Sequence, residues 1–254
     1  MSRSFRFWLF FIWVPLVHGS ALAAQNSGAA DGAERDWLES YYEAPTPDRF
    51  LSQMKDWAED GTLENDHAKP ALIAFISQLI RQNQEKLEEW YAGLAGLDPA
   101  QMQVMHTAML FSRTAEADRV LEEQFGQAYE DQKAETKKIL EMPLDQTGAM
   151  DMLWGFFYAT GSPEPIRRLI VAFRFIDAPE RPEGVMVPEG YVPLYKELPE
   201  FAHHSLVANG KRHPRIVEIL QLLIEKDESL LEVERAGVRK VLEELGRQPL
   251  GQGA

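Results

Sequence analysis

The chain is 254 residues long, carries 26 basic against 40 acidic side chains for a net charge of −14, and contains no cysteine. A disulfide framework and a lipid-bearing cysteine are therefore excluded, so packing alone must stabilise the fold. The acidic balance opposes binding to nucleic acid and to anionic lipid surfaces.

Residues 1–23 read as a secretory signal peptide. Arg3 and Arg6 form a basic start, Phe7 to Val17 is apolar, and Ala21-Leu22-Ala23 supplies a small-x-small cleavage signal that would leave Ala24 first. The apolar run is roughly 11 residues, whereas a bilayer-spanning helix needs about 20, and Pro15 interrupts it. The expectation is export to the periplasm or the medium, with no stable membrane insertion after cleavage. Residues 24–33, rich in alanine with Gly28 and Gly32, read as a flexible leader.

From Arg35 onward nearly every segment has helical period. Trp37, Leu38, Tyr41 and Tyr42 share a face, Pro45 and Pro47 break the chain, and Phe50, Leu51, Met54 and Trp57 resume the spacing until Gly61. Leu72, Ile73, Ile76, Leu79 and Ile80 mark a stripe over 69–82, followed by Leu87, Trp90, Tyr91 and Leu94 over 83–95. Asp98-Pro99 reads as a cap and a first-turn proline, with Met102, Met105, His106 and Met109 behind it. A helix with Ala117, Val120, Leu121 and Phe125 follows, then a charged stretch over 129–141.

Three junctions look alike: Asn83-Gln84-Glu85, Thr114-Ala115-Glu116 and Ser162-Pro163-Glu164. Each sets a capping residue two positions before an acid that favours a helix N-terminus. Ser112 to Arg119 aligns without a gap on Thr160 to Arg167, and a looser copy runs from Asn209-Gly210 to Pro214. The spacing predicts degenerate two-helix repeats.

Asp151 to Gly161 is the densest aromatic patch beyond the leader, with Leu153, Trp154, Phe157 and Tyr158 on one side and Met152, Gly155 and Phe156 on the other. A helix apolar on both sides is buried on both sides. Asp177 to Glu200 is the one long irregular stretch. It holds Pro179, Pro182, Pro188, Pro193 and Pro199, yet Val185, Val187, Tyr191, Val192 and Tyr195 make it too apolar for a free linker, so it is expected to fold over a groove. Three more helices follow over 200–210, 213–226 and 229–246, and 249–254 reads as a disordered tail.

No sequence pattern announces catalysis. The histidines lack the spacing of a helical zinc site, and His203 and His204, being adjacent, diverge by about 100° on a helix. No nucleophile elbow or phosphate-binding glycine loop occurs, and no Ser-x-x-Lys stands with its usual partner motifs. Asp145 and Asp151 flank the aromatic helix and have the residue types of an acid–base pair, although capping accounts for them more simply.

The phrase from Leu153 to Gly161, followed by Pro163, Pro165, Arg167, Arg168 and Ile170, resembles a recurring signature of exported bacterial all-helical proteins of unknown function. Tyr41-Tyr42 with Pro45, Pro47 and Asp48, and the Ser112 to Ala117 turn, are similar to other parts of that pattern. The resemblance spans most of residues 40–175. It implies a helical secreted protein and carries over no catalytic residue.

The sequence therefore predicts an all-α fold of antiparallel hairpins, about nine or ten helices, stacked as a short irregular α-solenoid-like array. A single helical-repeat-like domain is expected over 34–248, with the proline-rich loop at 177–200. The expected function is a non-enzymatic protein- or peptide-interaction module of the bacterial cell envelope, binding a protein or peptide partner and no nucleic acid. Tyr191, Tyr195, His203 and His204 are the candidate binding residues, with no catalytic residue, metal or cofactor. The alternatives are a periplasmic hydrolase combining carboxylates with His203 or His204, and a structural subunit of an envelope complex.

Overall fold

The computed structural model describes residues 36–144, 147–178 and 194–246. The signal peptide and leader, Asp145, residues 179–193 of the proline-rich loop with Tyr191, and the expected tail lie outside the described residues.

The protein is all-α: among the described residues every regular element is helical and no strand occurs. The α-helices are α1 (Trp37–Ser40), α2 (Phe50–Glu59), α3 (Lys69–Gln82), α4 (Leu87–Gly93), α5 (Pro99–Ser112), α6 (Ala115–Phe125), α7 (Gln127–Glu135), α8 (Thr147–Thr160), α9 (Pro163–Ile170), α10 (Leu198–Arg212), α11 (Pro214–Lys226) and α12 (Glu232–Glu244). These twelve exceed the number expected from periodicity, because 3₁₀ turns and short breaks split segments that share one apolar stripe. Gln84–Lys86, for instance, forms a separate turn ahead of α4. No described helix is long and apolar enough to cross a membrane.

The boundaries have local causes. Proline occupies the first or second position of α3, α5, α9, α10 and α11, where its missing N–H costs no helical bond. The Asp98 carboxylate caps α5 by accepting from the N–H groups of Ala100 and Gln101 at 2.8 and 2.9 Å, and the Gln101 side chain accepts from the Asp98 N–H.

Helix α3 is the central element, packed between α5 and α8. Its Leu72, Phe75, Ile76, Leu79 and Ile80 are all buried. Trp37 and Tyr41 meet Phe75 edge-on with ring centroids 5.4 and 5.3 Å apart, which joins α1 and the turn behind it to α3. Helix α8 continues from α3 to α9, and α10, α11 and α12 pack on one another, with α10 and α12 also against the 3₁₀ turn Val171–Phe175. Glu234 in the first turn of α12 is fully buried. It accepts from Arg174 at 2.8 Å and from the Leu231 N–H at 2.8 Å, with Arg167 at 3.4 Å. Arg167 also pairs with Asp227 at 2.7 Å, and Arg168 donates to the Met142 carbonyl at 2.7 Å. The two arginines of the Pro163–Ile170 segment thus anchor neighbouring elements.

Candidate functional site

Two of the three similar junctions come together at one place. Arg81 and Gln84, at the end of α3 and the turn beyond it, face Ser112, Arg113, Thr114 and Ala115 between α5 and α6, and Lys138 closes the third side. They line an open cavity of about 570 Å³. Three of its seven lining residues are cationic and none is acidic, in a chain whose net charge is −14. A volume of this size is ordinary for a ligand cleft.

Local geometry fixes the floor of this groove. Arg113 ends α5 in the left-handed region (φ 52°), and Gly161, its counterpart in the gapless alignment, has φ +62° at the end of α8. The two aligned turns share this feature, which a non-glycine residue adopts only at a cost. Thr114 then caps α6 by accepting from the Ala117 N–H at 3.3 Å. The other two junctions cap differently from expectation: the Asn83 amide donates backwards to the Leu79 carbonyl at 2.8 Å, and the Ser162 hydroxyl turns to Glu164. Their side chains take bonds other than those to the following helix, so the sequence likeness does not extend to a common cap.

Several donors in the groove are already used. Ser112 Oγ donates to the Met109 carbonyl at 2.6 Å, Arg113 Nη2 donates to the Thr136 carbonyl, and Lys138 pairs with Glu141 at 2.9 Å. Arg81 forms no ion pair among the described residues. Glu116, in the first turn of α6, has a buried Oε2 without a hydrogen-bond partner but stands outside the lining.

A second polar cluster reaches from the surface into the core between α8, α1 and the α10–α11 junction. Tyr158 donates to Asn209 Oδ1 at 2.6 Å, and Arg212 donates to Asn209 Oδ1 and to both carboxylate oxygens of Glu39 at 2.8 Å. The His213 ring, 1% exposed, places Nδ1 3.3 Å from the Tyr42 hydroxyl and Nε2 3.7 Å from Glu39 Oε2. That second distance is too long for a hydrogen bond. Burial works to raise the Glu39 pKa, but His213 and Arg212 outweigh it and hold the carboxyl below its ordinary value. Burial raises the Tyr158 phenol strongly.

Asp151 is different in kind. Its carboxyl has no hydrogen bond or ion pair among the described residues, and burial pushes its pKa up to about 7. One turn on, Trp154 Nε1 is buried without a hydrogen-bond partner. The acid–base pair considered for Asp151 needs Asp145, which lies outside the described residues.

The structure gives the other candidate residues separate surroundings. Tyr195 sets its ring against Phe175, centroids 6.0 Å apart. His203 Nε2 meets Glu244 Oε2 at 2.8 Å, and its hydrogen bond holds that carboxyl below its ordinary value. His204 is exposed beside His203, ring centroids 5.8 Å apart. No group of three or more metal-ligating side chains is gathered among the described residues. Sequence reasoning missed the groove's cations, although Arg113 and Gln84 lie inside the junctions it singled out. What it lacked was the information that two of those junctions are neighbours in space.

Helix ends supply the groove and helix faces supply the core cluster. No known protein family, curated protein or solved structure matches the chain.

Proposed function

We propose that this chain is an exported, non-enzymatic interaction module of the bacterial cell envelope, periplasmic or secreted, that holds a protein or peptide segment on its helical scaffold. The observation that carries this reading is the groove at the α3 end and the α5–α6 turn. It is open, built from three separate parts of the chain, and lined mainly by polar and cationic side chains. In this reading the helix hairpins stack as a short array, an arrangement that offers extended binding surfaces.

A photo-crosslinking residue at Gln84 in the native host tests the proposal. One stoichiometric partner, recovered at that position and not from a control position such as Glu218 on α11, is the expected result. Absence of any crosslinked protein at Gln84 would remove the module reading. Mass spectrometry of the same material should place the amino terminus within a residue or two of Ala24, and a full-length membrane-embedded species would refute export.

The hydrolase alternative draws on the His203–Glu244 pair, a carboxylate that orients an imidazole. His203→Ala and His204→Ala, made separately, test it: hydrolytic activity of the purified protein that survives both removes that reading.

A further inference from the structure

We propose that the groove between Arg81 and Lys138 receives the carboxylate side chains of an acidic peptide segment of the partner. This inference rests on the reading of the chain as an interaction module and names the chemistry of its ligand.

Three features point to this class. First, Arg81 from the last turn of α3, Arg113 from the α5–α6 turn and Lys138 from the stretch before Ile139–Glu141 line one cavity with no carboxylate among them. Glu141 pairs with Lys138 from outside the lining, whereas Arg81 has no acid of this chain to pair with among the described residues and is left to meet an anion from solution. Secondly, donors remain. A guanidinium carries five N–H groups in a planar fork suited to carboxylates, and Arg113 commits one nitrogen to Thr136. The cap on α6 satisfies the Ala117 N–H, while the first backbone N–H groups of that helix, starting at Ala115 on the groove wall, have no intrahelical acceptor. Thirdly, the buried Ser112 and Thr114 hydroxyls are spent on the Met109 carbonyl, the Ala117 N–H and one another, which leaves the cations to recognise the ligand.

Size and overall charge select among anions. A cavity of about 570 Å³ is far larger than a single tetrahedral ion and matches a few residues of extended peptide. The net charge of −14 opposes polymers of high negative charge density, whereas a short segment with two or three carboxylates meets the positive lining within a Debye length of about 8–10 Å.

The test uses the mature exported protein and a fluorescent hexapeptide, capped at both ends and carrying three glutamates, read by anisotropy at 150 mM salt. Its counterpart with three glutamines, and inorganic phosphate as competitor, complete the set. The glutamate peptide should bind about tenfold more tightly than the glutamine peptide, or better still. Arg81→Gln combined with Lys138→Gln should lose that preference while melting with the parent, since both side chains are exposed. Phosphate should compete no better than chloride of equal ionic strength.

Equal binding of the two peptides, or none of either, overturns the acidic-ligand inference, and a partner crosslinked at Gln84 would still uphold the module reading. Displacement by phosphate beyond the chloride effect overturns the peptide assignment in favour of a small-anion site. A glutamate preference that survives the double substitution places the site elsewhere. If the preference is found and no partner crosslinks in the envelope, the module reading fails instead.

Discussion

Gly155 of α8 faces the backbone of Ala71 in α3 so closely that a methyl group on its Cα would lie 2.0 Å from the Ala71 carbonyl oxygen. The contact joins the two central helices where neither can yield cheaply, because the opposing atom belongs to a helical backbone. Gly155→Ala must separate α3 from α8, and the expected cost is about 3 kcal/mol or more, at the upper end of overpacking penalties. Denaturant titration reads it, and a variant within 1 kcal/mol of the parent, a threshold set by that range, would show that the helices can part.

Trp154 is 5% exposed, meets Phe157 edge-on at 6.1 Å and stacks on Tyr158 at 6.0 Å. Trp154→Ala should therefore cost about 3–5 kcal/mol, the range for a truncated core aromatic residue. A variant that melts with the parent but loses a ligand would move Trp154 from the core to a pocket.

Asp151 should make stability fall with rising pH. Its folded pKa is raised from 3.8 to about 7, so its folded form stays protonated while the unfolded chain ionises. Stability is thus complete below pH 3.8 and is lost as the pH rises through about 7, at up to about 1.4 kcal/mol per pH unit and about 4 kcal/mol in all. Asp151→Asn, neutral throughout, should gain on the parent by several kcal/mol between acid and pH 8. Parallel stability curves for the two proteins would refute the burial of an unpartnered acid.

Glu39 should have the opposite sign. Its carboxyl is held below its ordinary 4.5, so its contribution is present above 4.5 and is lost as the pH falls through the lower folded value. Glu39→Gln should cost up to about 1 kcal/mol at pH 7, the scale of an ion pair that solvent reaches. The deficit should shrink in acid, where the parent loses the same charge. A deficit that persists unchanged at the lowest pH would assign the effect to packing of α1 rather than to the charge facing Arg212 and His213.

Helical period, proline at helix starts, the Asp98 cap and the two-sided burial around Trp154 were all legible in the chain, because each is set by residues a few positions apart. The all-α class follows from those local signals. Gly155 was visible as the one residue without a side chain in that aromatic segment's first turns, but the Ala71 backbone that fills its space was not. Boundaries were less so: the 3₁₀ turn before α4 depends on how the chain docks on α3, beyond the reach of periodicity.

What the chain could not display is which distant residues become neighbours. Glu39 and Arg212 are 173 positions apart, yet hydrogen-bond at 2.8 Å. Arg81, Arg113 and Lys138 stand in unrelated stretches, each indistinguishable from any solvated cation until packing of α3 against α5 sets them around one cavity. Asp151 stood out in the chain only as one of two acids flanking the aromatic helix, with capping as the simpler account. Its missing partner and raised pKa come from the walls around it, since desolvation belongs to the tertiary environment and leaves no mark on the sequence. Local sequence thus determined the helices and their buried faces, while tertiary packing decided which charges meet and which stand alone. The first depends on short-range backbone and side-chain geometry, the second on long-range contacts that close only when the whole chain is folded.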